Sequence, residues 1–172
     1  MKRLTITQTL AILGLAFCGL RCDELTAPAS ETTGELVYFT SFEKDADTSG
    51  WQGYGYDLRN EAPSNGGNRS LFVSGGCIWP HALLNLKPLE QDSRLIIRCW
   101  GKNLGIGGGV SLAIDDFRKS IHISVQDQEW TAYESSDTLF CPAGSKLSLL
   151  LGAGGFVSSA MLVDLIEIRR VK

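Results

Sequence analysis

The chain of 172 residues has only two histidines, and it contains no C-x-x-C pair, G-x-S-x-G elbow, H-E-x-x-H motif or phosphate-binding loop. These absences exclude the zinc sites and hydrolases that such motifs mark. The net charge is −3, and no basic run interleaves with aromatic residues, which excludes nucleic acid as a partner. After the N-terminus no segment keeps a helical period over ten residues, so helical bundles and βαβ folds are also excluded.

The N-terminus has the pattern of an export signal. Met1, Lys2 and Arg3 begin with positive charge, and residues 10–20 form an apolar run that is too short to span a bilayer. Residues 23–34 are rich in Thr, Ser, Ala and Pro and show no periodicity. We therefore predict a signal peptide over residues 1–22, a flexible tether over 23–34 and one domain over 35–172.

The sequence leaves open how the signal is processed. Cys22 follows the apolar run and could carry the lipid of a bacterial lipoprotein, and Cys18 is a second candidate. Cleavage after Ala29 would instead release a soluble protein. In each case the domain is exported, as a cell-surface lipoprotein or as a secreted protein, and it contacts a membrane only through a lipid anchor.

The rest of the chain shows the signals of short β-strands. Several segments alternate apolar and polar residues, and Gly, Asn, Asp, Ser or Pro bound them within a few residues. The predicted strands are residues 36–39, 70–74, 94–100, 110–114, 121–125, 147–151 and 161–169. Seven short strands without intervening helices predict an all-β fold, an antiparallel β-sandwich or barrel.

Three cysteines fall within the predicted domain, namely Cys77, Cys99 and Cys141. An oxidising compartment allows one disulfide and one free thiol. The spacing does not select a pairing, so the disulfide remains open.

The order of short motifs along the domain resembles a known family. These motifs are Phe42-Glu43, Gly50-Trp51, residues 68–73, residues 95–100, residues 129–133 and residues 162–168. In this order they resemble the galactose-binding-like jelly rolls, and among them the carbohydrate-binding modules of polysaccharide-degrading enzymes. The resemblance implies a jelly-roll β-sandwich that binds polysaccharide or another glycan and is not itself an enzyme.

The resemblance also implies a structural calcium ion. Its ligands in such modules match Glu43, just after the first strand, and Asp164, in the last strand; Asp45 could add an oxygen. Asp164 lies between apolar residues, where an unpaired carboxylate is costly. The alternative is a hydrogen bond from a loop backbone to Asp164, with Glu43 in solvent. An EF-hand is rejected because the twelfth position of the loop is Tyr56 and no helices flank it.

Sugar rings pack on exposed aromatic side chains, while polar neighbours bind the sugar hydroxyls. Tyr54 and Tyr56 are two residues apart and would share one face of a strand, and Trp79 lies in a segment broken by Gly and Pro. The predicted ligand-binding residues are Trp79, Tyr54, Tyr56, Arg59, His81 and Asp115.

Two further functions stay open. The first is an envelope module that binds proteins and has no sugar site. The second is a glycoside hydrolase or lyase that uses a carboxylate pair from Glu43, Asp115, Asp116 and Glu134. His122 is predicted to face solvent together with Ser120 and Ser124, and the glycine run at 105–109 is interpreted as a turn.

Overall fold

Strands account for most of the secondary structure in the computed structural model, which describes residues 34–77, 81–154 and 159–172. All of these residues belong to one unit, Thr33–Lys172. The strands are β1 (Glu35–Thr40), β2 (Trp51–Gln52), β3 (Tyr56–Arg59), β4 (Ser70–Ser74), β5 (Ala82–Leu86), β6 (Ser93–Asn103), β7 (Gly108–Ile114), β8 (Lys119–Val125), β9 (Thr131–Glu134), β10 (Leu139–Cys141), β11 (Leu147–Ala153) and β12 (Ala160–Val171). A short 3-10 helix covers Asp45–Thr48. The predicted signal peptide and most of the tether lie outside the described residues.

The strands form two antiparallel sheets. The larger has seven strands in the order β10-β6-β12-β4-β3, with β1 also paired to β12 and β9 to β6. The smaller has five strands in the order β2-β5-β11-β7-β8. Long-range pairing between strands far apart in sequence makes this a jelly-roll sandwich, which confirms the predicted all-β class.

All seven predicted strands are present, as β1, β4, β6, β7, β8, β11 and β12. The list of predicted segments misses β5, whose sequence Ala-Leu-Leu-Asn-Leu lacks the β-branched and aromatic residues that mark strands. It also misses β2, β3, β9 and β10, which have two to four residues each. All five strands are held by pairing with longer neighbours.

The core lies between the sheets and is built by alternation. In β8, Ile121, Ile123 and Val125 are buried, whereas His122 and Ser124 between them are exposed. The same period of two gives each sheet one inner face that contacts the core and one outer face that points away from it. The predicted exposure of His122 is confirmed.

Strand β12 changes partner along its length. Its first part lies between β4 and β6, and its second part lies between β1 and β6. The pairing with β6 is irregular between Asp164 and Glu167, and Leu165 has a φ of 47°. This β-bulge marks the place where β1 ends and β4 begins, which opens a gap in the larger sheet.

The cysteines of the domain are free. Cys99 and Cys141 are buried, and Cys77 is exposed. Among the described residues no disulfide joins them, so the alternative with a disulfide is wrong for this structure. Burial raises the pKa of the Cys99 thiol to about 12, which makes it unreactive. No helix in the described ranges is long and apolar enough to cross a membrane.

Candidate functional site

A cleft of about 570 Å³ opens on the outer face of the five-stranded sheet, where β7 begins and β11 ends. No residue that lines it carries a full charge at neutral pH. The lining residues are Gly76, Cys77, Ile106, Gly107, Gly108, Gly109, His122, Gln126, Gly152, Ala153 and Gly154. The cleft therefore offers a ligand hydrogen-bonding groups and small apolar surfaces, and no ion pair.

Glycine forms the floor of the cleft because side chains pack directly against it. A Cβ atom on Gly109 would lie 2.2 Å from His122 Cε1 in the cleft, and one on Gly108 would lie 2.4 Å from Sδ of the buried Met161, on the core side of the sheet. Both distances are impossible for real atoms. Gly108 and Gly109 belong to β7, so the interpretation of residues 105–109 as a turn is wrong for these two residues.

Two polar side chains of the cleft are held by serines of the same sheet. The Nδ1 atom of His122 is 2.8 Å from Ser111 Oγ on the neighbouring strand. The amide of Gln126 donates to Ser124 Oγ at 2.6 Å. Burial lowers the pKa of His122 below its usual value, so its imidazole is neutral at pH 7.

The turn between β2 and β3 lies beside the cleft. A Cβ atom on Gly53, which has a φ of 132°, would lie 2.0 Å from the carbonyl oxygen of His81, and His81 in turn packs against Gly55 and Gly76. Tyr54 at the tip of this turn is 100% exposed. His81 therefore contacts Gly76, which lines the cleft, whereas neither His81 nor Tyr54 lines the cleft itself.

Tyr54 and Tyr56 do not share a platform. Tyr54 precedes β3, whereas Tyr56 packs against the core and its hydroxyl donates to the Trp51 carbonyl at 3.0 Å. The predicted two-ring surface is wrong because β3 begins only at Tyr56. His81 is buried, and its Nδ1 atom has no hydrogen-bond partner. Trp79 lies outside the described residues.

The two remaining predicted ligand residues lie elsewhere. Arg59 is on β3 of the larger sheet, where its guanidinium lies 4.8 Å from the centre of the Phe72 ring. Asp115 follows β7 at the end opposite the cleft, roughly 20 Å away at the usual rise of a strand. The structure therefore does not bring Arg59 or Asp115 together with Tyr54 and His81.

A second site lies at the gap in the larger sheet, where Asp164 is fully buried. Its Oδ1 atom accepts a hydrogen bond from the Leu165 N–H at 2.7 Å, but its Oδ2 atom has no partner. Burial, and to a smaller extent the charge of Glu43, raise the pKa of Asp164 to about 7. A buried carboxylate with one unpaired oxygen is costly, so it attracts a proton or a cation.

Glu43 faces the same gap from the end of β1. Its Oε1 atom accepts hydrogen bonds from the N–H groups of Asn68 and Arg69, at 3.0 and 2.9 Å. A Cβ atom on Gly66 would lie 2.3 Å from Asp164 Oδ2, and one on Gly67 would lie 2.5 Å from Glu43 Cδ. Only glycines allow this loop to approach both carboxylates. We call this region the acidic pocket.

Asp45 does not join the acidic pocket. Its carboxylate is exposed and pairs with the Arg69 guanidinium at 2.8 Å. Within the described ranges no group of three or more His, Cys, Asp and Glu side chains is placed to hold a metal ion. The predicted set of three carboxylates is therefore wrong in its third member, and any ion in the pocket would need backbone carbonyls as further ligands.

The carboxylates considered for hydrolysis lie in three separate places, with Asp115 next to Asp116. Glu134 pairs with Arg98 on the larger sheet, and Asp116 pairs with Lys146 at 2.8 Å at the end of the smaller sheet. Glu43 lies in the acidic pocket. These three carboxylates therefore do not form a common pair on one surface.

No protein-family model and no curated protein sequence matches the chain. Among solved structures, it is similar to the CBM22-1 xylan-binding domain of Xyn10C from Paenibacillus barcinonensis, with a TM-score of 0.61 and 23% identity over 81% of this chain and 97% of that one. It is also similar to the carbohydrate-binding module CBM6cm-2 of Cellvibrio mixtus lichenase 5A, with a TM-score of 0.53 and 15% identity over 80% and 100% of the two chains.

The fold is shared more widely. A segment of the Cry4Aa mosquito-larvicidal toxin from Bacillus thuringiensis matches with a TM-score of 0.54 and 12% identity, over 74% of this chain and 23% of the toxin. Identities this low show the fold alone. The chain shares the jelly-roll fold of these carbohydrate-binding modules, as the order of its sequence motifs predicts.

Proposed function

We propose that the chain is an exported, non-catalytic module that binds a glycan in the cleft of the five-stranded sheet. The observation that carries the proposal is the cleft itself, with its uncharged polar side chains and its glycine floor. The exposed Tyr54 ring lies on the turn that packs against His81. Sugar hydroxyls are neutral donors and acceptors, and the ring faces of sugars pack on aromatic side chains. The fold, which is shared with binding modules that include xylan and cellotriose binders, supports the same function.

Calcium is the second part of the proposal, and it rests on the acidic pocket. Ca²⁺ takes six to eight oxygen ligands, and here Glu43 and Asp164 would supply carboxylates while loop carbonyls supply the rest. The unpaired Oδ2 atom of Asp164 and the close approach of Gly66 and Gly67 fit a small cation. The ion would neutralise both carboxylates and join β1, β12 and the loop before β4.

The test is native affinity electrophoresis of the purified protein through gels that contain xylan, hydroxyethyl cellulose, β-1,4-galactan or no polysaccharide, with calcium present. We expect one class of polysaccharide to slow the protein relative to a non-binding protein of similar charge. Equal mobility in every gel would overturn the proposed glycan binding.

A protein-binding envelope module is the alternative. Three large apolar side chains are exposed on the outer strands of the larger sheet, namely Leu36 and Phe39 on β1 and Phe140 on β10. β1 and β10 lie at opposite edges of the sheet, with β12 and β6 between them, and exposed apolar side chains there would offer contacts to a protein. Equal mobility in all gels, together with weaker capture of an envelope partner by a Phe39→Ser, Phe140→Ser variant, would favour this function.

Export as a lipoprotein and export as a secreted protein are both compatible with glycan binding. Mass spectrometry of the mature N-terminus distinguishes them, because a diacylglyceryl group at Cys22 or Cys18 marks a lipoprotein. A free N-terminus after Ala29 marks a secreted protein.

A further inference from the structure

The glycines at the start of β7 pack against two polar side chains, His122 and Gln126, that line the same cleft. A Cβ atom on Gly109 would lie 2.2 Å from the His122 ring, and one on Gly107 would lie 2.9 Å from the Gln126 amide nitrogen. Each polar side chain therefore packs over one glycine. Any larger residue at Gly107 or Gly109 would push that side chain out of the cleft.

Each of the two side chains is also fixed by a serine hydroxyl. Ser111 holds His122 Nδ1 from the neighbouring strand, and Ser124 holds the Gln126 amide from two residues away. One polar atom of each remains for a ligand, because His122 Nε2 and Gln126 Oε1 have no hydrogen-bond partner among the described residues. Side chains held in this way lose little entropy when a ligand binds.

The two side chains share one face of the cleft. His122 and Gln126 are four residues apart along β8 and its extension, so their Cα atoms are separated by roughly 13 Å at the rise of a strand. Both line the cleft. A chain-like ligand that lies along β8 could contact both at once.

We propose that His122 and Gln126 are the two residues that recognise the ligand, each forming a hydrogen bond with a hydroxyl group of a neutral glycan lying along β8. Ser111 and Ser124 act as positioning residues, because they hold the two side chains and do not contact the glycan. This inference rests on the proposed function of the cleft.

The surroundings favour a neutral ligand over a charged one. Of the described residues that line the cleft, His122 and Cys77 are the two that titrate, and no Lys, Arg, Asp or Glu is among them. The residues on the same face of β7 and β8 beside His122 are Ser111, Ser120 and Ser124. A uronate or phosphate group would therefore find no cation to replace its lost hydration.

The experiment compares variants by affinity electrophoresis in gels of soluble xylan, hydroxyethyl cellulose and β-1,4-galactan. The loss of one neutral hydrogen bond lowers affinity about three- to tenfold, so we expect that loss for His122→Ala and for Gln126→Ala. Ser120→Ala is the matched control, because Ser120 is exposed on the same face of β8 but outside the cleft. It should bind as the unmodified protein does.

Variants of Ser111 and Gly109 test separately whether these residues position the His122 imidazole. Ser111→Ala should weaken binding, and Ser111→Thr should restore it, because threonine keeps the hydroxyl group. Gly109→Ala should weaken binding as strongly as His122→Ala, since the new Cβ displaces the imidazole. Thermal melts separate these losses from misfolding, and a variant with an unchanged melting temperature and reduced affinity supports the proposal.

The two proposals fail in different ways. If the unmodified protein is not slowed by any polysaccharide, the proposed function and this inference are both overturned. If it is slowed and His122→Ala and Gln126→Ala are slowed equally, the cleft pair is overturned while glycan binding stands.

Discussion

The outer faces of the two sheets differ in how they meet water. On the five-stranded sheet, glycine and serine leave a cleft whose polar side chains are held in place but open to solvent. On the seven-stranded sheet, the loop between β3 and β4 covers Ser70 and Asp164, which are fully buried although they point away from the core. An ion pair at 2.8 Å between Glu61 of this loop and Lys102 of β6 ties the loop to the sheet.

Both faces have polar side-chain atoms without a hydrogen-bond partner in the protein, but these atoms differ in their access to water. In the cleft, water can satisfy the free polar atoms, so the empty site costs little. In the acidic pocket the Oδ2 atom of Asp164 has no partner, so the metal-free pocket lowers stability at the pH values where the carboxylate is ionised. The open face is suited to a ligand that comes and goes, and the covered face is suited to an ion that stays.

The largest expected effect is on the stability of the acidic pocket. The folded pKa of Asp164, about 7, lies above its usual value of 3.8, so the folded state favours the protonated acid. The contribution of Asp164 to the stability of the metal-free protein should therefore be largest below about pH 4 and fall by on the order of 4 kcal/mol as the pH rises to 8. Thermal melts in chelator across this range measure the loss, and calcium should restore stability at pH 8 but not at pH 4.

Asp164→Asn is the control for this prediction. The asparagine amide cannot ionise, so the stability of this variant should vary less with pH and should not respond to calcium. Identical melts of the unmodified protein at pH 8 in calcium and in chelator would contradict the calcium proposal.

The next effect concerns the loop that closes the pocket. Gly66→Ala would place a Cβ atom 2.3 Å from Asp164 Oδ2 and should cost about 2 kcal/mol, the usual penalty for overpacking. Gly154→Ala is the matched control, since its nearest neighbour among the residues that the structure describes would be 3.5 Å away. Denaturant midpoints compare the two variants, and equal midpoints would show that the loop does not press on Asp164.

Variants of Tyr54 and Tyr56 should distinguish a loss of glycan affinity from a loss of stability. Tyr54→Ala removes an exposed ring and should lower glycan affinity a few-fold at an unchanged melting temperature. Tyr56→Phe removes the hydrogen bond to the Trp51 carbonyl and should cost about 1 kcal/mol of stability without changing affinity. The opposite pattern would mean that Tyr56 lies nearer the ligand than Tyr54.

The smallest expected effect is the response of the cleft to pH. Burial already lowers the pKa of His122, and a bound glycan that covers the ring should lower it further. Binding then releases protons. Affinity should therefore be constant at neutral pH and fall as the pH drops below the pKa of His122 in the free protein. Nuclear magnetic resonance titration of the imidazole with and without xylan measures the shift, and an unchanged pKa would remove His122 from the site.

The sequence reveals much of the fold because alternation is local. The period of two in β7 and β8 identifies both strands and shows that His122 faces away from the core. Asp164 is also recognisable as unusual, since it lies between apolar residues of a strand. The partnership with Glu43 came from the family resemblance, because the two residues are far apart in sequence.

The cleft could not be predicted in the same way. The contact between Ser111 and His122 depends on the register of β7 against β8, which a single sequence does not specify. Gly107, Gly108 and Gly109 suggest a turn because glycine is rare in strands, whereas here they make room for the side chains of Gln126, Met161 and His122. The ion pair of Asp45 with Arg69 also forms only in the folded chain, so the sequence does not show that this carboxylate already has a partner.

The position of β12 has a consequence for how the domain folds. It is the last strand of the domain, has 12 residues, and lies between β6 on one side and β4 and β1 on the other. The larger sheet therefore cannot assemble until the end of the domain has left the ribosome, and its contacts close long chain loops that slow folding. A nascent chain that lacks β12 can pair only parts of the larger sheet, so we expect the domain to reach its folded state only after residue 171 has emerged.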